Sequence, residues 1–506
     1  MSSFRDILKH SSVYAVGQIL SRIASVLLLP LYTRCLSTAD YGCVAILDLT
    51  AGILAILIGA GMAQAVVRFH FDSRSDDERS RVWWTGLLWV AAAATCVVGP
   101  MLLGRGLLAE LTLGSDVTDG AFFYLLAAAT LWMNTVGELM NAYLRVRKWS
   151  GLFVLCSLGR LLLNIGLNVW LLVGLELGVT GLLTGNLIAA IANTAVLAGI
   201  FVVTTPFRGL SVPVLGRLLA FGSPLIIQAL LSLMMHEADR YLLRLFGSLE
   251  QVGVYSLAYK VGQAVNMLCL VPFASIWNVV MYEIAAQPDA KQTYATVFRH
   301  FVNALLVVML AASLFAFLLL PMLTPGDFAG AVDLIPVVLL AFVFFSMHAQ
   351  FSVPALLAKK TSALIPASLA GVIVNIVANV ALIPRFGAAG AAWASVLTYA
   401  TFSFGGLWVY RQLDRYPYPF ARLFVSACLV GASFAAVRYA VFPQLNSLTA
   451  QLLVAATVTA FWTILLCGPA ALPVIEIVEQ KTGRRLIPKS IRRRFLSTSP
   501  HQPAVV

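Results

Sequence analysis

Residues 41–66 read YGCVAILDLTAGILAILIGAGMAQAV, and this stretch decides the fold class. It holds a single charged side chain, Asp48. As a helix rising about 1.5 Å per residue it is longer than the ~30 Å hydrocarbon core of a bilayer. A barrel strand would be about ten residues long with strict alternation, whereas here apolar side chains fill both phases. The stretch is therefore a spanning helix. Fourteen such runs lie between residues 11 and 470, the first over 11–32 and the last over 448–470.

The whole chain has the same character. Its 506 residues are 60% hydrophobic and 11% charged, against about 25% charged in a soluble domain. The fold class is an all-α polytopic membrane protein with about fourteen transmembrane helices. The first run contains Arg22 and has no small-residue cleavage pattern, so it is expected to remain as the first helix. Loop charges set the orientation. The segments on the side of the N-terminus, with the C-terminal tail, carry 25 lysines and arginines; the opposite loops carry five, namely Arg34, Arg105, Arg244, Arg385 and Arg438. Both termini are thus expected in the cytoplasm. The net charge of +12 is mostly this topology signal rather than a nucleic-acid footprint, and the basic tail suits anionic headgroups. Seven scattered cysteines and six dispersed histidines give no metal site and no disulfide framework.

The chain also repeats itself. Ser37-Thr38-Ala39-Asp40-Tyr41-Gly42-Cys43-Val44 aligns with Ser248-Leu249-Glu250-Gln251-Val252-Gly253-Val254-Tyr255 at an offset of 211. Ser21 falls on Ser232, and Asn164 and Asn168 fall on Asn375 and Asn379, at the same offset. Arg147-Lys148-Trp149-Ser150 meets Lys359-Lys360-Thr361-Ser362 at 212, and Gly178 and Gly181 meet Gly387 and Gly390 at 209. One shared offset across most of a half implies duplication. The expected organisation is an N-terminal six-helix lobe over 1–204 and a second, parallel lobe over 214–410. An extra helix pair over 421–470 and a basic tail over 472–506 follow.

A charge at the bilayer centre costs about 2.5–3.5 kcal/mol on insertion scales, so charged and polar stripes mark a hydrated cavity. The first run carries Tyr14, Gln18, Ser21, Arg22 and Ser25 within one face. The fourth carries Thr130, Asn134, Glu138, Asn141 and Arg145, and the fifth Ser157, Arg160, Asn164 and Asn168. The seventh carries Gln228, Ser232, His236 and Asp239, and the eighth Ser256, Lys260 and Gln263. The substrate-cavity candidates are Arg22, Gln18, Tyr14, Arg160, Lys260 and Gln263. Coupling or ion-pair carboxylates are Asp48, Glu138, Glu237 and Asp239. The plainer alternatives are helix packing for the asparagine stripes and a local ion pair for Asp239-Arg240. Asp48, one position from the repeat equivalent of Lys260, is a partner for that lysine. Arg22 falls on Leu233 in the repeat, far from either helix end, and its planar fork suits a diphosphate.

Ser21-Arg22, Leu31-Tyr32-Thr33-Arg34 and Ser37–Gly42 resemble the start of bacterial polysaccharide repeat-unit flippases. Gly61–Phe69, Asp239-Arg240-Tyr241 and Val252–Lys260 resemble later segments of that family, whose superfamily also holds multidrug extruders and the lipid II flippase. The resemblance runs over about residues 10–410 and places Arg22 at a cavity arginine that meets the diphosphate. It implies alternating access and a polyprenyl-diphosphate-linked oligosaccharide flipped to the outer leaflet of the bacterial inner membrane. Membrane lipids, a polysaccharide polymerase and other assembly proteins are the implied partners, with no cofactor and no nucleic acid. A cation-coupled multidrug antiporter of the same fold would rest instead on the acidic residues. A polymerase or ligase would need larger outward loops than 105–117 and 322–333 and a paired-carboxylate or Ser/His constellation, so no enzyme is expected.

Overall fold

The computed structural model describes residues 28–59 and 61–468. The expected first span, with Tyr14, Gln18 and Arg22, and the basic tail over 472–506 lie outside the described residues. The described chain runs through α1 (Leu29–Cys35), α2 (Thr38–Gly59), α3 (Met62–Asp72), α4 (Asp76–Leu103), α5 (Arg105–Thr112), α6 (Gly120–Val146), α7 (Ser150–Asn168) and α8 (Gly178–Thr204). It continues through α9 (Val212–Phe246), α10 (Leu249–Ala285), α11 (Ala290–Leu323), α12 (Gly330–Phe351), α13 (Val353–Leu357), α14 (Ile365–Tyr410), α15 (Phe420–Ala436) and α16 (Leu448–Trp462). Twelve of these stretches are long and apolar enough to cross a membrane. One of the twelve, α14, is two helices joined across Gly387, at φ 55° and ψ −131°. The sequence separates them in the same place, as runs over 362–384 and 386–409.

Helix starts follow their local chemistry. Ser37 and Asp40 form a reciprocal capping box before α2: the Ser37 N–H donates to the Asp40 carboxylate at 3.0 Å, and the Asp40 N–H to Ser37 Oγ at 3.1 Å. Ser248, 211 residues later, accepts from the Gln251 N–H at 3.4 Å before α10. Ser75 caps α4 through the Glu78 N–H, with Asp76, Asp77 and Glu78 in the first turn, where the helix dipole favours acid.

The aligned glycines meet. At Gly42 an added Cβ would overlap the Leu249 carbonyl oxygen, and at Gly253 one would overlap the Thr38 carbonyl oxygen. The first turns of α2 and α10 thus cross backbone to backbone, each glycine against the other helix. Other aligned positions share unusual backbone: Gly178 and Gly387 both have φ 55°, and Lys148 and Lys359 have φ 57° and 58°. Lys148 therefore matches Lys359 by conformation, rather than Lys360 as the sequence alignment has it. Leu171 to Gly178 is two residues longer than Leu382 to Gly387, which accounts for the fall in offset to 209. The π-helical turn Val169–Gly174 overlaps the start of that longer segment.

Backbone proximity divides the chain into two compact units. Among the described residues the first comprises 28–264, 324–331 and 371–398; the second comprises 265–323, 332–370 and 399–468. These packing units cut through helices, whereas the lobes over 1–204 and 214–410 are divisions along the sequence. In the first unit, α6 packs against both α4 and α8, and Phe123, Tyr124, Leu131 and Leu139 are among its buried residues. The end of α3 meets the start of α9 in a reciprocal pair: Arg68 sits 5.1 Å over Phe221, and Arg217 sits 5.6 Å over Phe69. In the second unit, α11 is the spine for α15 and α16, with Leu310, Leu314, Val430, Ala455 and Trp462 in one core. Lys291 Nζ reaches Asp414 at 2.5 Å and Tyr294 stacks on Tyr416 at 5.0 Å, tying the 411–419 loop to α11.

Candidate substrate cavity and buried polar sites

The first unit forms a half-open cavity of about 500 Å³ among α2, α3, α4, α6 and α8. One wall is small and apolar: Ala51, Gly52 and Ala55. Facing groups include Thr130, Asn134, Thr135 and Glu138 of α6 and Asn186 of α8, with Asp48 also in the lining. Thr130, Asn134 and Glu138 recur every four residues, so one face of α6 delivers all three.

Arg160 of α7 donates to Asn134 Oδ1 at 2.8 Å. Two residues expected in the cavity from separate stripes are thus brought together, the arginine acting through the amide. Glu138 is held by Arg145 Nη2 at 3.0 Å. Behind the cavity runs a chain of amides. Asn168 donates to Tyr32 OH at 2.8 Å and to Asn164 Oδ1 at 3.1 Å, and Asn164 donates to Asn186 Oδ1 at 2.8 Å. Two amides of the stripe do pack and bond helices, but their chain ends at a cavity-lining side chain.

Asp48 faces Lys260 and Arg240 as its neighbouring cations, yet among the described residues it makes no ion pair. The contact expected with Lys260 is not formed, because Lys260 Nζ sits 4.6 Å over the Tyr41 ring instead. A flexible lysine gains there from the negative ring face while keeping its head hydrated. Gln263 Nε2 reaches Glu237 Oε1 at 3.4 Å, and Glu237 pairs with Arg240 one turn on. Arg240 also contacts Ser256 Oγ at 3.3 Å and lies 4.7 Å over Tyr259. The local pair expected for Asp239-Arg240 is therefore shifted: the arginine takes Glu237.

Asp239 has a different setting. It is 1% exposed, and its Oδ2 accepts from Tyr255 OH and from Ser395 Oγ, the latter at 3.1 Å. On α14, Asn375 Nδ2 donates to Thr398 Oγ1 at 3.2 Å and Asn379 Nδ2 to the Asn375 carbonyl at 2.8 Å. Asp239 Oδ1, Asn375 Oδ1 and Asn379 Oδ1 are buried without a hydrogen-bond donor. Buried acceptors of that kind are costly unless something supplies positive charge or a proton. Tyr255, Ser395, Thr398 and Asn186 were not singled out from sequence. Tyr255 sits beside the striped Ser256 and Asn186 two residues after Thr184, without a stripe of their own, and only Ser395 and Thr398, one turn apart, carry a faint periodic signal.

Residues 7–277, more than half of the chain, match the family model described as polysaccharide biosynthesis protein. No curated protein sequence matches it. The chain is similar to the solved structure of lipid II flippase MurJ in an inward closed conformation. That likeness has a TM-score of 0.69 at 12% identity and covers 90% of this chain and 98% of that one. It is also similar to an inward-facing multidrug resistance MATE family transporter of the MOP superfamily, with a TM-score of 0.61 at 15% identity over 80% of this chain and 95% of that one. An outward-facing structure of such a transporter gives 0.53 at 16% identity over 83% and 96%. At these identities the likeness establishes the fold: a multi-pass α-helical membrane protein of the MurJ and MATE type.

Proposed function

The chain belongs to the polysaccharide biosynthesis protein family, and on that premise we propose that it flips a polyprenyl-diphosphate-linked oligosaccharide. The cargo is an O-antigen, capsule or exopolysaccharide repeat unit, moved from the cytoplasmic to the outer leaflet of the bacterial inner membrane by alternating access. The observation that carries this reading is the cavity among apolar spans, lined by Asp48, Asn134, Glu138 and Asn186 and backed by Arg160. Polar groups within apolar spans are costly in a bilayer and mark substrate paths, which supports a polar cargo. An enzyme would need catalytic groups held toward an acceptor; a flippase needs only a polar path. Arg22, outside the described residues, is the proposed diphosphate ligand, and the loop charges support a cytoplasmic location for both termini.

Asp239 supports a coupled process. Its buried Oδ1 suits a proton or a monovalent cation, whose downhill entry would drive the cycle. The same carboxylate would serve a multidrug antiporter, so the cargo must be tested directly. Deletion of the gene, followed by analysis of lipid-linked intermediates, should leave complete repeat units on the cytoplasmic leaflet. An incomplete unit would point to an enzyme, and unchanged intermediates to the antiporter. Arg22→Ala should abolish flipping with normal membrane insertion, and Arg22→Lys should restore it in part. In proteoliposomes, Asp239→Asn should flip at a rate that no longer responds to an imposed cation or proton gradient; a response equal to the parent's removes Asp239 from coupling.

A further inference from the structure

The cavity of the first unit is polarised in one direction. Arg160 carries only N–H donors, so the oxygen of the Asn134 amide must face it, and the Asn134 NH2 is left over. The Asn168–Asn164–Asn186 chain has the same sense, each amide nitrogen donating to the next oxygen, and ends with the Asn186 NH2. Both of these amides line the cavity, and neither nitrogen donates to another described group. Apart from Asp48, the remaining polar lining among the described residues is already engaged. Thr130 Oγ1 donates to the Leu126 carbonyl at 2.7 Å, Thr135 Oγ1 to the Leu131 carbonyl at 2.6 Å, and Glu138 is held by Arg145.

A bare cation would need several oxygen ligands, and with the amide oxygens turned away and Glu138 held by Arg145, Asp48 alone is left for it. An anion would meet the carboxylates of Asp48 and Glu138. What the lining complements is a neutral ligand with a strong acceptor for two amide N–H groups. It should also offer hydroxyl donors for Asp48 and a small apolar group for the wall of Ala51, Gly52 and Ala55. An acetamido sugar has all three: a carbonyl oxygen, ring hydroxyls and a methyl group. A cavity of about 500 Å³ lies within the usual range for small-ligand sites.

We propose that this cavity is a headgroup subsite for an N-acetylated amino sugar, with Asn134 and Asn186 as the residues that select it and Arg160 and Asn164 as the residues that orient them. The inference rests on the reading of the cargo as a lipid-linked oligosaccharide and adds which sugar chemistry it carries. Selection works because an analogue lacking the carbonyl leaves two desolvated donors unmatched.

The test uses the detergent-purified full chain and three synthetic short-chain polyprenyl diphosphates, carrying N-acetylglucosamine, glucose or glucuronic acid. Binding is titrated by thermophoresis. The acetamido probe should bind roughly tenfold tighter than either of the others. Asn134→Asp and Asn186→Asp replace the NH2 by an acceptor while leaving Arg160 and Asn164 an oxygen to donate to, so the fold should hold, as checked by elution profile and thermal midpoint. Each should lose most of the preference for the acetamido probe over the glucose probe. If the three probes bind alike, or the preference survives both substitutions, this inference falls and the flippase reading stands. If none binds, the cargo itself is wrong and both fall.

Discussion

Gly253→Ala tests the crossing of α2 and α10. The added Cβ would land on the Thr38 carbonyl oxygen and lie near the Gly42 amide nitrogen, 3.2 Å away. Neither obstacle is a side chain that could swing aside. An ordinary contact begins at 3.4 Å, so the two helices must part by more than about 1 Å, an overpacking strain of roughly 1–3 kcal/mol. Gly42→Ala should cost a similar amount, because its Cβ strikes the Leu249 carbonyl oxygen across the same crossing. The pair should not be additive: once one alanine has separated the helices, the second fills space already opened, and the double variant should fall short of the sum by ~0.5–3 kcal/mol. Denaturant or thermal unfolding of the purified protein, followed by tryptophan fluorescence, measures all three. Single variants as stable as the parent would refute the backbone contact. A double variant equal to the sum would show that the two strains are separate.

Three further outcomes follow from single contacts. Ser75→Ala removes the α4 cap and should cost about 1 kcal/mol, read as a lowered midpoint that Ser75→Asp restores. Arg160→Leu takes the donor from Asn134 and should reduce binding of the acetamido probe more than Lys260→Leu does, since Lys260 contacts the Tyr41 ring instead; equal losses would contradict the orienting role. Lys291→Ala breaks an exposed pair with Asp414 and should change stability by less than about 1 kcal/mol, whereas Tyr294→Ala, 1% exposed and stacked on Tyr416, should cost about 3–5 kcal/mol by analogy with buried aromatic truncations.

The fold was legible because a bilayer forces long apolar runs, although the run over 41–66 is not one helix: α2 ends at Gly59 and α3 starts at Met62, past Gly61 at φ 65°. Even the break at Gly387 shows in sequence, as a gap between two runs. The Ser-Thr-Ala-Asp-Tyr-Gly segment was legible as a pattern but not as physics. Only the structure resolves it into a cap formed by Ser37 and Asp40 and a crossing at Gly42. Arg160 was found because it sits on a four-residue stripe, and its target Asn134 sits on another. Periodicity names a face and not the neighbour across from it, which is why Lys260 was matched with Asp48 and lies on Tyr41. Asn186 and Ser395 gave no comparable signal: one polar residue in an apolar run looks the same whether it packs a helix or ends a hydrogen-bond chain.

The π turn at Val169–Gly174 has a consequence for how the chain tolerates insertions and deletions. A deletion within α7 would rotate everything beyond it by ~100° and swing Asn168 off Tyr32. The π turn already holds a surplus residue relative to an α-helical turn. Removing one residue there could be absorbed as a regular turn, leaving Asn168 in phase upstream and the bend at Gly178 intact downstream. The wide turn thus acts as a slip joint, letting the loop change length by a residue while the amide chain keeps its aim.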